Sequence, residues 1–212
     1  QLKSDILIEF RQNYIGPAIR KYGNMLRAAD CPGDLLLNRV RTLDLRITAS
    51  PMTAIHADML TWNYSDSAEI AARQFLAILF SVPQISVRLE EIPPRHCQML
   101  KFWTGFWEEH RDLLLFGHLK PFHPELNYPL VQSELEEEEI FAVYLGEQLI
   151  SPAVGKTTYI VNGSENATVP VDLPDSRLVK VYNTTGELTA DFELPQGMHR
   201  LSVPVSGLAR LD

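Results

Sequence analysis

The chain has little cysteine, no long apolar run and no excess of positive charge. Its 212 residues include two cysteines, Cys31 and Cys97, too few for a disulfide framework or a cysteine-based zinc site. We therefore expect a reducing, cytoplasmic compartment. Its longest apolar runs, such as Phe75–Phe80, are far shorter than the roughly 20 residues of a membrane-spanning helix, and residues 1–10 do not have the pattern of a signal peptide. The net charge of −8 makes nucleic acid and anionic membranes unexpected partners.

The first part of the chain, up to about Phe122, predicts strands alternating with helices. The strand candidates are Asp5–Phe10, Met52–Met59 and Val82–Leu89, and the helix candidates are Asp34–Ile47, Ser67–Phe80 and Pro93–Phe116. Either Ser65 or Ser67 can cap the second helix. This alternation predicts a parallel sheet covered by helices.

The second part predicts only short strands separated by turn residues. The strands are Ile140–Leu145, Thr157–Val161, Ala167–Val171, Arg177–Tyr182, Leu188–Leu194 and His199–Val205. Short strands separated by turn residues in this way are typical of an antiparallel β-sandwich. We predict two domains, residues 1–122 and 123–212, joined by a proline-rich linker, Pro121–Pro129, that ends in the acidic stretch Ser133–Glu139.

Charged residues lie at the end of one strand candidate and just before a turn. Glu9 and Arg11 come at the end of the first strand candidate, and Asp30 precedes a turn. Residues that follow a strand of a parallel sheet face the mouth of the active site, although Glu9 and Arg11 also fit a surface ion pair. A carboxylate such as Asp30 can protonate the leaving oxygen in glycoside hydrolysis. Asp34 better fits a helix cap.

A second polar group, His56 and Asp58, lies on or just beyond another strand candidate. The two side chains could share a face and bind a metal or a substrate hydroxyl, but no third ligand accompanies them. A hydrogen-bonded structural histidine is therefore preferred, and no metal or cofactor is expected. Trp62 nearby fits either a wall for stacking a sugar or simple packing.

Four stretches of the sequence resemble the C-terminal part of glycoside hydrolase family 36, the melibiase-type α-galactosidases. They are residues 8–46, AIHADMLTW at Ala54–Trp62, FSVPQISVRL at Phe80–Leu89 and FWEEHRDLLLFG at Phe106–Gly117. The resemblance implies strands five to eight of a (β/α)8 TIM barrel followed by a C-terminal β-sandwich. It also implies a retaining hydrolase of terminal α-galactosides such as raffinose and melibiose.

The same resemblance implies roles for individual residues. Asp30 occupies the position of the acid/base after the sixth barrel strand, and Glu9 and Arg11 occupy the galactose-binding loop after the fifth. The family's glycine-rich loop is replaced here by Glu9–Gln12, so the resemblance does not determine which sugar is bound. No segment matches the one that carries the nucleophile. We therefore expect a fragment that is inactive alone and pairs with the remaining N-terminal part of the enzyme or with another copy.

Two other functions fit the sequence. One is a non-catalytic carbohydrate-binding or assembly module, in which the β-sandwich is the core and the α/β segment a docking surface. The other is a transglycosylase, or an enzyme for another α-sugar, within the same family.

Overall fold

The computed structural model describes residues 6–11, 17–49 and 53–212. Asp5 and Met52, where two of the predicted strands begin, and Gln12 of the substituted loop lie outside the described residues. Among the described helices, none has the length and apolar character needed to cross a membrane.

The first part of the chain forms a four-stranded sheet whose strands are all parallel. The strands are β1 (Glu9–Phe10), β2 (Met25–Arg27), β3 (Ala54–Leu60) and β4 (Val82–Ile85). They lie side by side in chain order, and each neighbouring pair is parallel. The predicted parallel sheet is thus confirmed, although β1 and β4 are shorter than their apolar runs suggest, and β2 was not predicted from periodicity.

Helices connect these strands and begin where the sequence provides a cap. Helix α1 (Leu35–Thr48) joins β2 to β3, and α2 (Ala68–Ala77) joins β3 to β4. The Leu37 N–H donates to Asp34 Oδ1 (2.9 Å), and the Ile70 N–H donates to Ser67 Oγ (3.3 Å). These bonds satisfy backbone donors that a helix N-terminus leaves free, so Asp34 and Ser67 are the caps.

The long helix predicted over Pro93–Phe116 is divided in two. Helix α3 spans Pro94–Glu109 and α4 spans Arg111–Phe116, with His110 between them at φ −103° and ψ 20°. The His110 ring is buried and lies 4.4 Å from the Tyr159 ring and 4.6 Å from the Phe106 ring, centroid to centroid. Packing against a distant strand thus accompanies the break, and no proline or glycine marks it.

The second part forms two packed sheets. A seven-stranded sheet has the order β11-β10-β13-β8-β7-β6-β5, and a two-stranded sheet pairs β12 with β9. The strands are β5 (His118–Phe122), β6 (Leu130–Leu135), β7 (Glu138–Val143), β8 (Thr157–Asn162), β9 (Thr168–Leu173), β10 (Arg177–Tyr182), β11 (Leu188–Leu194), β12 (Gly197–Ser202) and β13 (Leu208–Leu211). The strand-rich second part is confirmed, but β7 and β8 are parallel, so the expectation of a purely antiparallel arrangement is wrong for this pair.

The predicted linker Pro121–Pro129 begins in strand β5 and contains a short 3-10 helix, Pro124–Leu126. β5 and β6 form an antiparallel pair in which Pro121 lies opposite Val131. The acidic stretch Ser133–Glu139 lies in the ends of β6 and β7 and in the turn between them, where Glu136 adopts φ 50°. Glu139 of this stretch is fully buried, and its carboxylate accepts hydrogen bonds from the Ala153 N–H (2.7 Å) and Thr158 Oγ1 (2.9 Å). Those donors compensate the carboxylate for lost water.

The central strands of the seven-stranded sheet, β7 and β8, are buried on both faces. Phe141, Val143 and Ile160 pack with the two-stranded sheet, whereas the alternate residues Ile140, Ala142, Tyr159 and Val161 share a core with α2, α3 and α4. Because successive side chains of a strand point to opposite faces, each central strand contributes to both cores. One sheet thus carries the two-stranded layer on one side and the helices of the first part on the other.

Candidate functional site

Charged side chains gather at the ends of β1, β2 and β3. This edge cluster consists of Glu9, Arg11, Arg27, Asp30 and Asp58. The parallel register sets Phe10 opposite Leu26 and Arg27 opposite His56. The carboxyl ends of the three strands therefore meet at one edge, which is where the sequence predicted a site.

The three site residues predicted from the sequence lie close together. Arg11 Nη2 is 4.0 Å from Asp30 Oδ1, and Arg11 Nε is 4.0 Å from Glu9 Oε1. The Asp30 side chain is 81% exposed and the Arg11 side chain 64% exposed. Arg11 thus bridges the two carboxylates at the surface, and Asp30 presents its carboxyl group to solvent.

A buried ion pair supports this surface from below. Arg27 Nη2 donates to Asp58 Oδ1, and the two side chains are 4% and 0% exposed. Arg27 Nη2 also lies 3.5 Å from Asp30 Oδ1. A buried charge is tolerated only when it is paired and hydrogen-bonded, so this pair fixes the end of β2 against β3.

The backbone around Asp30 is held by three further contacts. The Cys31 N–H donates to Asp58 Oδ2, and Arg41 Nη1 of helix α1 donates to the carbonyls of Ala29 (3.1 Å) and Asp30 (2.8 Å). Asn38 of the same helix bonds the backbone N–H and C=O of Asp58 at 3.1 and 3.3 Å. The loop is therefore anchored, while the Asp30 side chain, which is paired with Arg11 and Arg27, stays open to solvent.

Two groups at the cluster have shifted pKa values. Burial raises the pKa of Asp58, but hydrogen bonds from the Cys31 and Met59 N–H groups and from Arg27 outweigh it, so the net shift is downward. Asp58 is therefore a carboxylate at neutral pH. Burial raises the pKa of the Cys31 thiol, which makes that thiol a poor nucleophile.

The pair His56 and Asp58 does not form a shared ligand set. His56 Nδ1 lies 2.7 Å from the Ala57 carbonyl oxygen, so it donates locally, while Asp58 is engaged by Arg27. The preferred interpretation of a hydrogen-bonded structural histidine is thus confirmed. Within the described ranges, no group of three or more His, Cys, Asp or Glu side chains could hold a metal ion.

Trp62 packs rather than standing free. Its Nε1–H donates to His96 Nδ1 (3.1 Å), and its ring is partly buried against the core. It also borders a cavity of about 480 Å³ between the starts of α1 and α2, with Gly33, Thr61, Asn63 and Gln74 among its lining residues. Gly33 belongs to the loop that follows Asp30, but no residue of the edge cluster lines this cavity.

Sequence reasoning missed Arg27, Asn38 and Arg41. Arg27 could have been recognised, because it is a charged residue inside the otherwise apolar run Met25–Ala29, and a buried charge needs a partner. Asn38 and Arg41 look like ordinary polar residues of an amphipathic helix, and only the fold shows that they hold the loop.

No protein-family model matches this chain, and no curated protein matches its sequence.

Proposed function

We propose that this chain is part of a retaining glycoside hydrolase that acts on terminal α-galactosides such as raffinose and melibiose, with Asp30 as its acid/base. The observation that carries the proposal is the Asp30 carboxyl group, which is 81% exposed at the end of a parallel strand on a loop held by Asp58 and Arg41. An anchored backbone with a solvent-accessible carboxyl group suits a proton-transferring residue.

The arrangement of the strands supports this proposal. Four parallel strands in chain order, with helices between β2 and β3 and between β3 and β4, have the order of consecutive strands in a (β/α)8 barrel. Barrel enzymes carry their active sites at the carboxyl ends of the strands, the edge at which Asp30 lies. In the proposal, β1 to β4 are strands five to eight, and the remaining strands come from the rest of the enzyme or from another copy.

Each residue of the cluster then has a defined role. Asp30 protonates the glycosidic oxygen as the bond breaks, and it later removes a proton from the water that releases the sugar. Glu9 accepts hydrogen bonds from sugar hydroxyls, and Arg11 donates to them. The nucleophile is a second carboxylate about 5–5.5 Å from the first, which the resemblance assigns to a segment outside this chain. No metal or cofactor takes part, and the two free thiols fit a reducing cytoplasm.

The test is the Asp30→Ala change in the complete protein that contains this chain. We expect hydrolysis of raffinose to fall about 100-fold or more, since general acid catalysis contributes roughly that much. An aryl α-galactoside with a good leaving group needs little protonation, so its glycosidic bond should still break. Added azide should restore its turnover, because azide attacks the enzyme-bound sugar without a general base.

A matched control is Asp112→Asn, which changes another exposed carboxylate, on α4, and should leave both activities intact. Thermal unfolding should be almost unchanged by Asp30→Ala, because exposed substitutions usually cost less than about 0.5 kcal/mol. If both substrates are hydrolysed as fast by Asp30→Ala as by the wild type, Asp30 is not the acid/base.

The exposure of Asp30 and its pairing with arginines also fit the second candidate, a non-catalytic carbohydrate-binding or assembly module. In that case the complete protein should bind raffinose without cleaving either substrate, and Asp30→Ala should alter only binding.

A further inference from the structure

A second cavity lies between helix α3 and the seven-stranded sheet, away from the edge cluster. Its volume is about 550 Å³, within the roughly 300–1,000 Å³ typical of small-molecule sites. No residue of the edge cluster lines it. On the helix side its residues include Gln98, Phe102, Gly105 and Glu109, whose spacing of three or four places them on one helix face.

The sheet side of this cavity is built by strand register. Arg210 lies opposite Tyr159 on β8, and Leu208 lies opposite Tyr182 on β10. These residues share the face turned toward α3, and the Phe102 and Tyr182 ring centroids are 6.4 Å apart. Tyr159 OH already donates a hydrogen bond to Glu138 Oε1 (3.0 Å). The cavity is therefore walled by aromatic rings.

Two glycines shape the cavity. Gly105 lies inside α3, where glycine costs about 1 kcal/mol relative to alanine, and a Cβ added there would meet no atom within 4 Å. The space above Gly105 is thus open. Gly186, at φ +84°, lets its turn approach Phe102 so closely that a Cβ would lie 2.5 Å from the ring. This turn closes one end of the cavity.

The charges around the cavity cancel. Lys101 and Arg210 are positive, Glu109 is negative, and Arg210 Nε already pairs with Asp212 Oδ1 (3.0 Å). A charged ligand would gain no net attraction from two cations and two carboxylates. Hydrogen-bond donors and acceptors beside aromatic ring faces instead suit a neutral ligand that has a C–H face and many hydroxyl groups.

We propose that the cavity bounded by Phe102, Gly105, Tyr182 and Arg210 is a separate, non-catalytic site for a neutral oligosaccharide, with a sugar ring over Tyr182 and Phe102 and its hydroxyls bonded to Glu109 and Arg210. The site goes beyond the proposed hydrolase activity and does not depend on it.

The test follows the backbone amide signals of Gly105 and Gly186 by NMR while the chain is titrated with raffinose, maltotriose or cellotriose. At least one trisaccharide should shift both signals and saturate, with a dissociation constant on the order of 1 mM. Tyr182→Ala should weaken this binding about tenfold by removing a stacking face, and Tyr182→Phe should retain it.

A second variant and two controls make the result decisive. Gly105→Leu fills the open space without removing a core contact, so it should abolish binding in a folded protein. Tyr22→Ala removes another exposed tyrosine and should bind as the wild type does. Asp30→Ala should also bind normally, which separates this site from the proposed catalytic one.

Three outcomes would overturn the proposal. One is that none of the three trisaccharides shifts the two glycine signals at tens of millimolar. Another is that Gly105→Leu binds as well as the wild type. The third is that benzoate, a charged aromatic probe, shifts the signals and the trisaccharides do not.

Discussion

At the scale of single residues, the buried ion pair of Arg27 and Asp58 determines where Asp30 lies. Asp58 holds Arg27 from β2 and the Cys31 N–H from the following loop, and Asp30 lies between these two contacts in the chain. The position of the exposed Asp30 carboxyl group thus depends on the fully buried carboxyl group of Asp58. A change at Asp58 should affect folding first and the Asp30 site as a consequence.

We predict that Asp58→Asn lowers the free energy of unfolding by about 3 kcal/mol or more, because it leaves the buried Arg27 charge with only the exposed Asp30 carboxylate, 3.5 Å away, as counter-ion. The measurement is equilibrium unfolding in urea. Glu91→Gln is the matched control: it breaks the exposed pair of Glu91 with Arg88 (2.7 Å) and should cost less than about 1 kcal/mol. Equal losses in the two variants would contradict the structural role of the Arg27–Asp58 pair.

The sequence predicted the surface of this site but not its support. Glu9 and Arg11 were predicted because they follow a strand candidate of a parallel sheet, whereas Asp30 was assigned its role by the family resemblance, because the strand before it was not predicted. The partner of Asp58 was missed because Arg27 is 31 residues away, and pairing over that distance is decided by register. The sequence equally gave no sign that His56 would donate to the adjacent carbonyl of Ala57.

At the scale of elements, helix starts were predictable because a cap is a local interaction. Asp34 and Ser67 each accept a hydrogen bond from an N–H three residues later in the chain, so the signal lies within one helical turn. The break at His110 was not predictable, because it is accompanied by contacts with Tyr159 on β8. Local chemistry thus fixed the starts of α1 and α2 but not the end of α3.

The cap of α1 gives a direct prediction. Asp34→Ala should lower the free energy of unfolding by about 1 kcal/mol, the usual cost of losing an N-cap oxygen. Asp34→Asn keeps an oxygen in place and should cost much less. Urea unfolding of the two variants checks this, and an unaltered midpoint for Asp34→Ala would show that the cap contributes nothing to stability.

The pairing of β5 with β6 should depend on pH through Glu134. A hydrogen bond from Lys120 and a second from His118 lower the pKa of Glu134 to about 2, whereas the pKa of a glutamate in an unfolded chain is about 4.3. The unfolded chain therefore binds more protons between these values. The stabilisation is fully present above about pH 4.3 and is lost as the pH falls through about 2.

We expect the wild type to lose more stability than Glu134→Gln between about pH 5 and pH 2.5, since glutamine cannot titrate. Thermal unfolding at a series of pH values measures this difference. Glu108→Gln, at an exposed position of α3, should follow the wild-type curve. A Glu134→Gln curve parallel to that of the wild type would contradict the pairing with Lys120.

At the scale of the whole molecule, the seven-stranded sheet joins the two parts of the chain. Tyr144 OH of this sheet region donates to the Leu76 carbonyl of α2 (2.8 Å), and Arg39 Nη2 of α1 donates to the Asn127 carbonyl (3.1 Å). The sequence predicted an α/β part and a β part but not the contacts that join them. β5, β6 and β13 were missed because each is short or lies in a proline-rich or acidic stretch, and their place is set by distant neighbours.

Because the two parts share a core, we predict that they unfold together. Trp103 of α3 is fully buried in the core shared by the helices and the sheet, so Trp103→Ala should cost about 3–5 kcal/mol and shift one calorimetric transition to lower temperature. Trp103→Phe should cost less, because it keeps an aromatic ring and removes an indole N–H that is buried without a partner. If calorimetry resolved two transitions and Trp103→Ala moved only one of them, the sheet and the helices would fold independently and the shared core would not couple them.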